Sequence, residues 1–254
     1  MTWFNAKLFK VVAPLALVAQ LGSASASVVM STTRVIYPAD AREQTLQLSS
    51  QDDSPSVMQL WVDSGNPEST PQNADAPFIV TPPVFKINPK AGQTVRIVFT
   101  GKDLPQDRES VFYLNTLQIP SLNSTYREQN QMMVMLRNRL KVFYRPTTIA
   151  GSAQKAPEQL SFRLESEAGK WRISANNASG YHVSLIEGQV VSGSHVTKFT
   201  PSMVAPQSGQ TWKLESAHID DSAPVRVKVK YIDDYGAVRD AEYPATTPTT
   251  TGKN

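Results

Sequence analysis

Apolar and polar residues alternate with a period of two through most of the chain, and no segment sustains a helical period, so the pattern predicts short β-strands throughout. Thr45-Leu46-Gln47-Leu48-Ser49, Thr94-Val95-Arg96-Ile97 and Leu160-Ser161-Phe162-Arg163-Leu164 all alternate. The clearest case is Val225-Arg226-Val227-Lys228-Val229-Lys230-Tyr231. Its valines face one way and its cations the other, as in an antiparallel strand with one face on a core and one in water. The alternation stops between Arg145 and Leu160, where Pro146, Gly151 and Pro157 stand among small polar residues. That break predicts a linker over residues 146–157, separating a first domain over 27–145 from a second over 158–244, with a frayed tail over 245–254.

By length alone, 254 residues admit one large β domain or two of roughly 100 residues each, and the linker selects two. The strand-like runs in each half are bounded by turn residues such as Thr81-Pro82-Pro83, Asn176-Asn177 and Asp233-Asp234-Tyr235-Gly236. Repeated short strands of this kind predict an all-β protein made of two immunoglobulin-like β-sandwich domains.

One stretch breaks the rule. Met132-Met133-Val134-Met135-Leu136 places apolar side chains on both faces of a strand, and Arg137, Arg139, Lys141 and Arg145 follow directly. One set faces the domain's own core, and the other must face something else. Three covers are open: the second domain, a second copy of the chain, or a partner docking on the edge. Methionine is flexible and polarizable, which suits a surface fitting several related partners. An edge strand also presents unpaired N–H and C=O groups to which another chain can add itself as a strand, and the same edge offers a route to self-association.

Composition and charge narrow the chemistry. Lys7 and Lys10 precede an apolar run from Val11 to Leu21, and Ala24-Ser25-Ala26 supplies small residues at a cleavage spacing, so residues 1–26 are expected to be a secretory signal. The run is short for a membrane span, so an exported mature chain starting at Ser27, without membrane insertion, is expected. There is no cysteine, which removes disulfides, thiol catalysis and zinc–thiolate sites. A formal net charge of +3 calls for no polyanion, and the basic face at Arg226, Lys228 and Lys230 lacks the interleaved aromatics of a nucleic-acid platform. His182, His195 and His218 have neither metal-site spacing nor a neighbouring nucleophile turn, and are expected to be ordinary surface or sheet residues. Asp52-Asp53, Asp220-Asp221 and Asp233-Asp234 are expected to be solvated turn residues. Asn123 and Asn177 match the glycosylation sequon. Neither an enzyme nor a cofactor is indicated.

Five segments carry a family resemblance. Ser31-Thr32-Thr33-Arg34-Val35-Ile36-Tyr37-Pro38, Phe78-Ile79-Val80-Thr81-Pro82-Pro83, Leu104-Pro105-Gln106-Asp107-Arg108-Glu109-Ser110, Lys141-Val142-Phe143-Tyr144-Arg145-Pro146 and Ile232-Asp233-Asp234-Tyr235-Gly236 occur in order across the mature chain. Together they resemble the PapD-like periplasmic chaperones of chaperone-usher pili, and the compact segment after Pro120 resembles the short-loop branch of that family. The resemblance implies two immunoglobulin-like domains set at an angle, and a periplasmic, ATP-independent role. It implies pilus subunits and an outer-membrane usher as partners. It further implies donor-strand complementation, in which Met132, Val134 and Leu136 enter a groove on the subunit and Met133 and Met135 belong to the chaperone's core. Arg34 and Lys141 match the family's anchor for the subunit's C-terminal carboxylate. Glu109, Arg145 and Asp234 match its interdomain bridge. Strict alternation sets Lys141 on the face of Met133 and Met135, so either the strand bulges near Arg137 to Arg139 or Lys141 reaches the cleft from the other side. The rival readings are a structural surface protein or pilus subunit, which usually carries one incomplete domain, and an enzyme or carbohydrate-binding module on the same sandwich.

Overall fold

The computed structural model of the chain describes residues 27–121, 132–167, 170–215, 217–220 and 223–247. The expected leader, the segment on which the short-loop resemblance rests, Asn123 and the end of the tail all lie outside the described residues. The first domain holds β1 (Val28–Met30), β2 (Arg34–Pro38), β3 (Gln44–Ser50), β4 (Ser56–Asp63), β5 (Phe78–Thr81), β6 (Val84–Ile87), β7 (Gly92–Phe99), β8 (Ser110–Pro120) and β9 (Leu136–Arg145). They form a four-stranded sheet in the order β1-β3-β7-β5 and a five-stranded sheet in the order β2-β9-β8-β4-β6. The alternating positions do the packing: Leu46 and Leu48 of β3, Val95 and Ile97 of β7, Leu114 of β8 and Val142 of β9 are fully buried between the sheets. Tyr37 stands among Phe78, Phe99 and Tyr144 and donates its hydroxyl to the carbonyls of Ala41 and Arg42.

A 3-10 segment over Ala153–Gln159 ends the link to the second domain, whose Pro157 and Ala156 are buried. There follow β10 (Leu160–Glu167), β11 (Lys170–Asn177), β12 (Ser184–Ser192), β13 (His195–Phe199), β14 (Ser208–Leu214), β15 (Val225–Ile232) and β16 (Val238–Thr246). These strands hydrogen-bond in one continuous order, β13-β12-β15-β16-β10-β11-β14. The sheet curls on itself through a two-residue parallel junction, Phe162 with Ala245 and Arg163 with Thr246. Strand β16 therefore runs through Thr246. On β15, Val225, Val227 and Val229 are buried while Arg226 and Lys228 are exposed, because a pleated strand over a core sends successive side chains to opposite faces. No helix among the described residues is long and apolar enough to cross a membrane.

Candidate functional site

The chain changes sheets between β1 and β2. Strand β1 pairs with β3, whereas β2 runs parallel to β9, with Arg34 opposite Lys141 and Pro38 opposite Arg145. As a result only the second half of β9 has strand neighbours on both sides. Among the described residues, Leu136 to Leu140 pairs with β8 alone and no strand flanks its other edge. Ahead of it, Met132 to Met135 lies outside any strand. All five apolar side chains of the oily run are exposed: Met132 87%, Met133 42%, Val134 71%, Met135 55% and Leu136 46%.

This corrects the expectation for Met133 and Met135, which are not in the core. The inward positions of β9 are Leu140, Val142 and Tyr144, so the even-numbered face packs on the domain while Lys141, Phe143 and Arg145 look outward. The β8–β9 register runs without a shift from Ser110 opposite Tyr144 to Gln118 opposite Leu136. There is no bulge between Leu136 and Lys141. Lys141 lies on the outer face of β9, beside Arg34.

Arg34 is 7% exposed. Its Nη1 donates to the carbonyl of Ile232 in the second domain at 2.9 Å, its guanidinium lies 5.9 Å from the Phe143 ring, and its buried Nε has no hydrogen-bond partner. Burial lowers its pKa, with Asp234, Asp233 and Glu109 acting in the opposite direction. Beside it, the side chain of half-buried Lys141 has no hydrogen bond or ion pair among the described residues. Burial, and then the charge of Arg34, hold its ammonium below the usual lysine value. Two neighbouring cations, partly desolvated and with no anion against Lys141, make a place where a carboxylate would be favoured. The cleft between the domains, about 200 Å³, is lined by Arg34, Phe143, His182, Ser184 and Ile232 among others, with Lys141 outside that lining. The hydroxyl of Ser184, buried on β12, also lacks a partner.

A second cluster joins the domains. Arg145 at the end of β9 donates from Nε to Glu109 at 2.7 Å and, in fork geometry, from Nη1 and Nη2 to the two oxygens of Asp234 at 2.7 and 3.0 Å. Glu109 is 4% exposed and accepts the backbone N–H of His182 at 2.8 Å, with the His182 ring Nδ1 at 3.2 Å. Burial pushes the Glu109 carboxyl up, but His182 and Arg145 more than offset it, leaving the group below the ordinary carboxylate range. The backbone closes in as well. Gly236 has φ of +84° and approaches so closely that a β-carbon there would lie 2.6 Å from Thr33 Oγ1, while Glu109 N–H donates to the carbonyl of Gly180 at 2.9 Å.

Other expectations need correction. His182 is no ordinary surface or sheet histidine: its side chain is 5% exposed and bound to Glu109. Nothing in the chain near it signals this, because its partner is 73 residues away. Asn177 is fully buried and donates to the carbonyls of Tyr181 and Ala205, so its sequon is closed to a glycan. Of the adjacent pair Asp233 and Asp234, the first accepts the N–H groups of Tyr235 and Ala237 within its own turn, while the second turns to Arg145. The rings of His195 and His218 meet at a tilt, with centroids 4.3 Å apart. Among the described residues, no three His, Cys, Asp or Glu side chains gather to hold a metal.

Residues 27–150 match the family described as "Pili and flagellar-assembly chaperone, PapD N-terminal domain", and residues 155–243 match "Pili assembly chaperone PapD, C-terminal domain". The chain is 37% identical over 221 residues to the chaperone protein FimB/FhaD of Bordetella pertussis, a span covering 85% of this chain and 87% of the relative. It is 31% identical over 237 residues to the probable fimbrial chaperone YadV of Escherichia coli, covering 92% and 96% of the two chains. The crystal structure of the YadV chaperone superposes with a TM-score of 0.74 at 29% identity, covering 86% of this chain and all of the other.

Proposed function

Because the chain belongs to the PapD-like pilus-assembly chaperones, a family that is not enzymatic, we propose that it captures pilus subunits in the periplasm by donor-strand complementation and passes them to an outer-membrane usher. Met132, Val134 and Leu136 are the side chains that fill the subunit's groove. Arg34 and Lys141 hold its terminal carboxylate, and Glu109, Arg145 and Asp234 keep the two domains at the angle that forms the cleft.

One observation carries this reading: five consecutive apolar side chains stand in solvent where β9 begins, and five residues further on the same strand sets Lys141 beside Arg34. A soluble fold ordinarily buries such a run, and an exposed one marks a surface awaiting a partner. Covering three of these side chains is worth about 1.5–3 kcal/mol each before the cost of ordering the partner. The carboxylate anchor adds charge-assisted bonds and, more importantly, sets where the paired strands begin, since a slip by one residue turns every side chain to the wrong face.

Co-expression with a candidate subunit followed by pull-down tests this. Val134→Asp is expected to abolish recovery of the subunit while the chaperone itself remains folded, because Val134 is exposed and lies outside any strand. Undiminished recovery with Val134→Asp would show that the exposed run is not the docking segment.

A further inference from the structure

Two of the four cations that follow the oily run, Arg137 and Arg139, have no part in the carboxylate anchor or the interdomain bridge. They lie on the outer face of β9 and reach inward along the sheet rather than out to water. Arg139 donates from Nη2 to Asp63 Oδ1 at 2.5 Å, and its guanidinium sits 3.8 Å above the Tyr113 ring. Arg137 donates to Asn115 Oδ1 from Nε and Nη2 at 3.1 and 2.6 Å, and its guanidinium lies 5.0 Å from the Trp61 ring. Asp63 and Asn115 are each 0% exposed although both are on the sheet face turned away from the core.

The burial of an aspartate there is costly unless every lone pair is met. It is met: Asp63 also accepts Gly65 N–H at 2.7 Å, Ser69 Oγ at 2.8 Å and Asn115 Nδ2 at 2.6 Å. Ser69 in turn accepts the Trp61 indole N–H at 3.0 Å. The loop after β4, the outer faces of β4 and β8, and the first residues of β9 are thus tied into one network. It grips β9 at the two outward positions directly after Leu136, where β2 no longer flanks the strand.

Hydrophobic patterning alone leaves the register there under-determined. A slip by one residue is excluded because it reverses the faces; a slip by two keeps them, although in the direction that moves Met135 to the place of Arg137 it also brings Asn138 to the buried place of Leu140. The run Met132 to Leu136 is apolar at every position and tolerates such a shift. The two sockets do not: displacing β9 by two residues in one direction brings Met135 to the position of Arg137, and in the other brings Lys141 to that of Arg139. Only one register fills both with guanidinium groups.

We propose that Asp63 and Asn115 are positioning residues that, by holding Arg139 and Arg137, set the register in which Met132, Val134 and Leu136 leave the fold. The consequence for subunit capture rests on the function proposed above, but the register itself can be read without any subunit. The chain has no cysteine of its own, so one introduced pair forms one crosslink. Gln118 and Leu136 face each other across β8 and β9. Gln118→Cys with Leu136→Cys should therefore crosslink on mild oxidation, and Gln118→Cys with Val134→Cys, two residues out of step, should not. Adding Arg137→Gln and Arg139→Gln is expected to lower crosslinking of the facing pair severalfold and to raise that of the offset pair. Unchanged crosslinking of both pairs overturns the proposal. If the double replacement does not fold, as judged by circular dichroism, Arg137→Gln alone at its half-exposed site carries the same test. In the cysteine-free chain, Arg139→Gln should reduce subunit recovery about tenfold. A shifted crosslink with full recovery would refute the positioning role, whereas full recovery with Val134→Asp would remove the chaperone reading and leave the register result standing.

Discussion

Lys141 is a lysine held below its ordinary pKa first by burial and then by Arg34, with no anion beside it. A carboxylate placed against it would favour the charged form and raise that pKa, so binding takes up a proton wherever free Lys141 is neutral. The affinity is therefore constant below the depressed pKa and falls as pH rises through it. Titrating a subunit-derived peptide with a free C-terminus between neutral and alkaline pH is expected to show this loss starting earlier than an unperturbed lysine would give. Lys141→Ala is expected to weaken the same peptide by roughly ten- to a hundredfold, the equivalent of about 1.5–3 kcal/mol for a charge-assisted bond, without lowering thermal stability. A flat profile together with undiminished binding by Lys141→Ala would exclude this lysine from the anchor. The likeness of short segments singled out Arg34 and Lys141, but it did not reveal the parallel register that makes them neighbours. His182 and Asn177 carried no local mark at all, because a residue's type does not record the distant chain that buries it.

Within β9, two leucines four residues apart and of the same parity have different fates. Leu140 is 5% exposed and packs in the first domain's core, whereas Leu136 is 46% exposed at the open edge. Leu140→Ala should cost about 2–5 kcal/mol in denaturant unfolding, as expected for a buried leucine. Leu136→Ala should leave stability within about 0.5 kcal/mol and appear only in subunit capture. Equal losses of stability would mean that Leu136 belongs to the fold after all. The alternation along β3, β10 and β15 was legible because a single core decides which face is apolar. Around Met132 to Leu136 it was not, since a run without alternation does not say which face is inside. Assigning Met133 and Met135 to the core failed for that reason. The parity of β9 is set by Leu140, Val142 and Tyr144, and the sandwich ends before it reaches the methionines.

Across the molecule, Arg145 neutralises buried Glu109 while forking onto Asp234 from the other domain. Arg145→Ala strands the Glu109 charge in a buried site, a loss of about 3–5 kcal/mol, and should broaden the distribution of interdomain angles seen by small-angle scattering. The depressed pKa of Glu109 gives the pH dependence its sign: the contribution is fully present above the ordinary carboxylate range and is lost as pH falls through the lowered value. Thermal unfolding followed down through that range should show the decline, and Glu109→Gln should flatten it. The short alternating strands and the two cores they build were written along the chain, because alternation and turn residues act over a few neighbours. Sequence also singled out the oily run and the cations after it. Only the folded chain decided that the run is exposed, that the register passes from Leu136 to Lys141 without a bulge, and that Arg137 and Arg139 turn back onto Asp63 and Asn115. Those outcomes depend on where one sheet ends and another strand begins, and pairings between segments tens of residues apart leave no trace in local pattern.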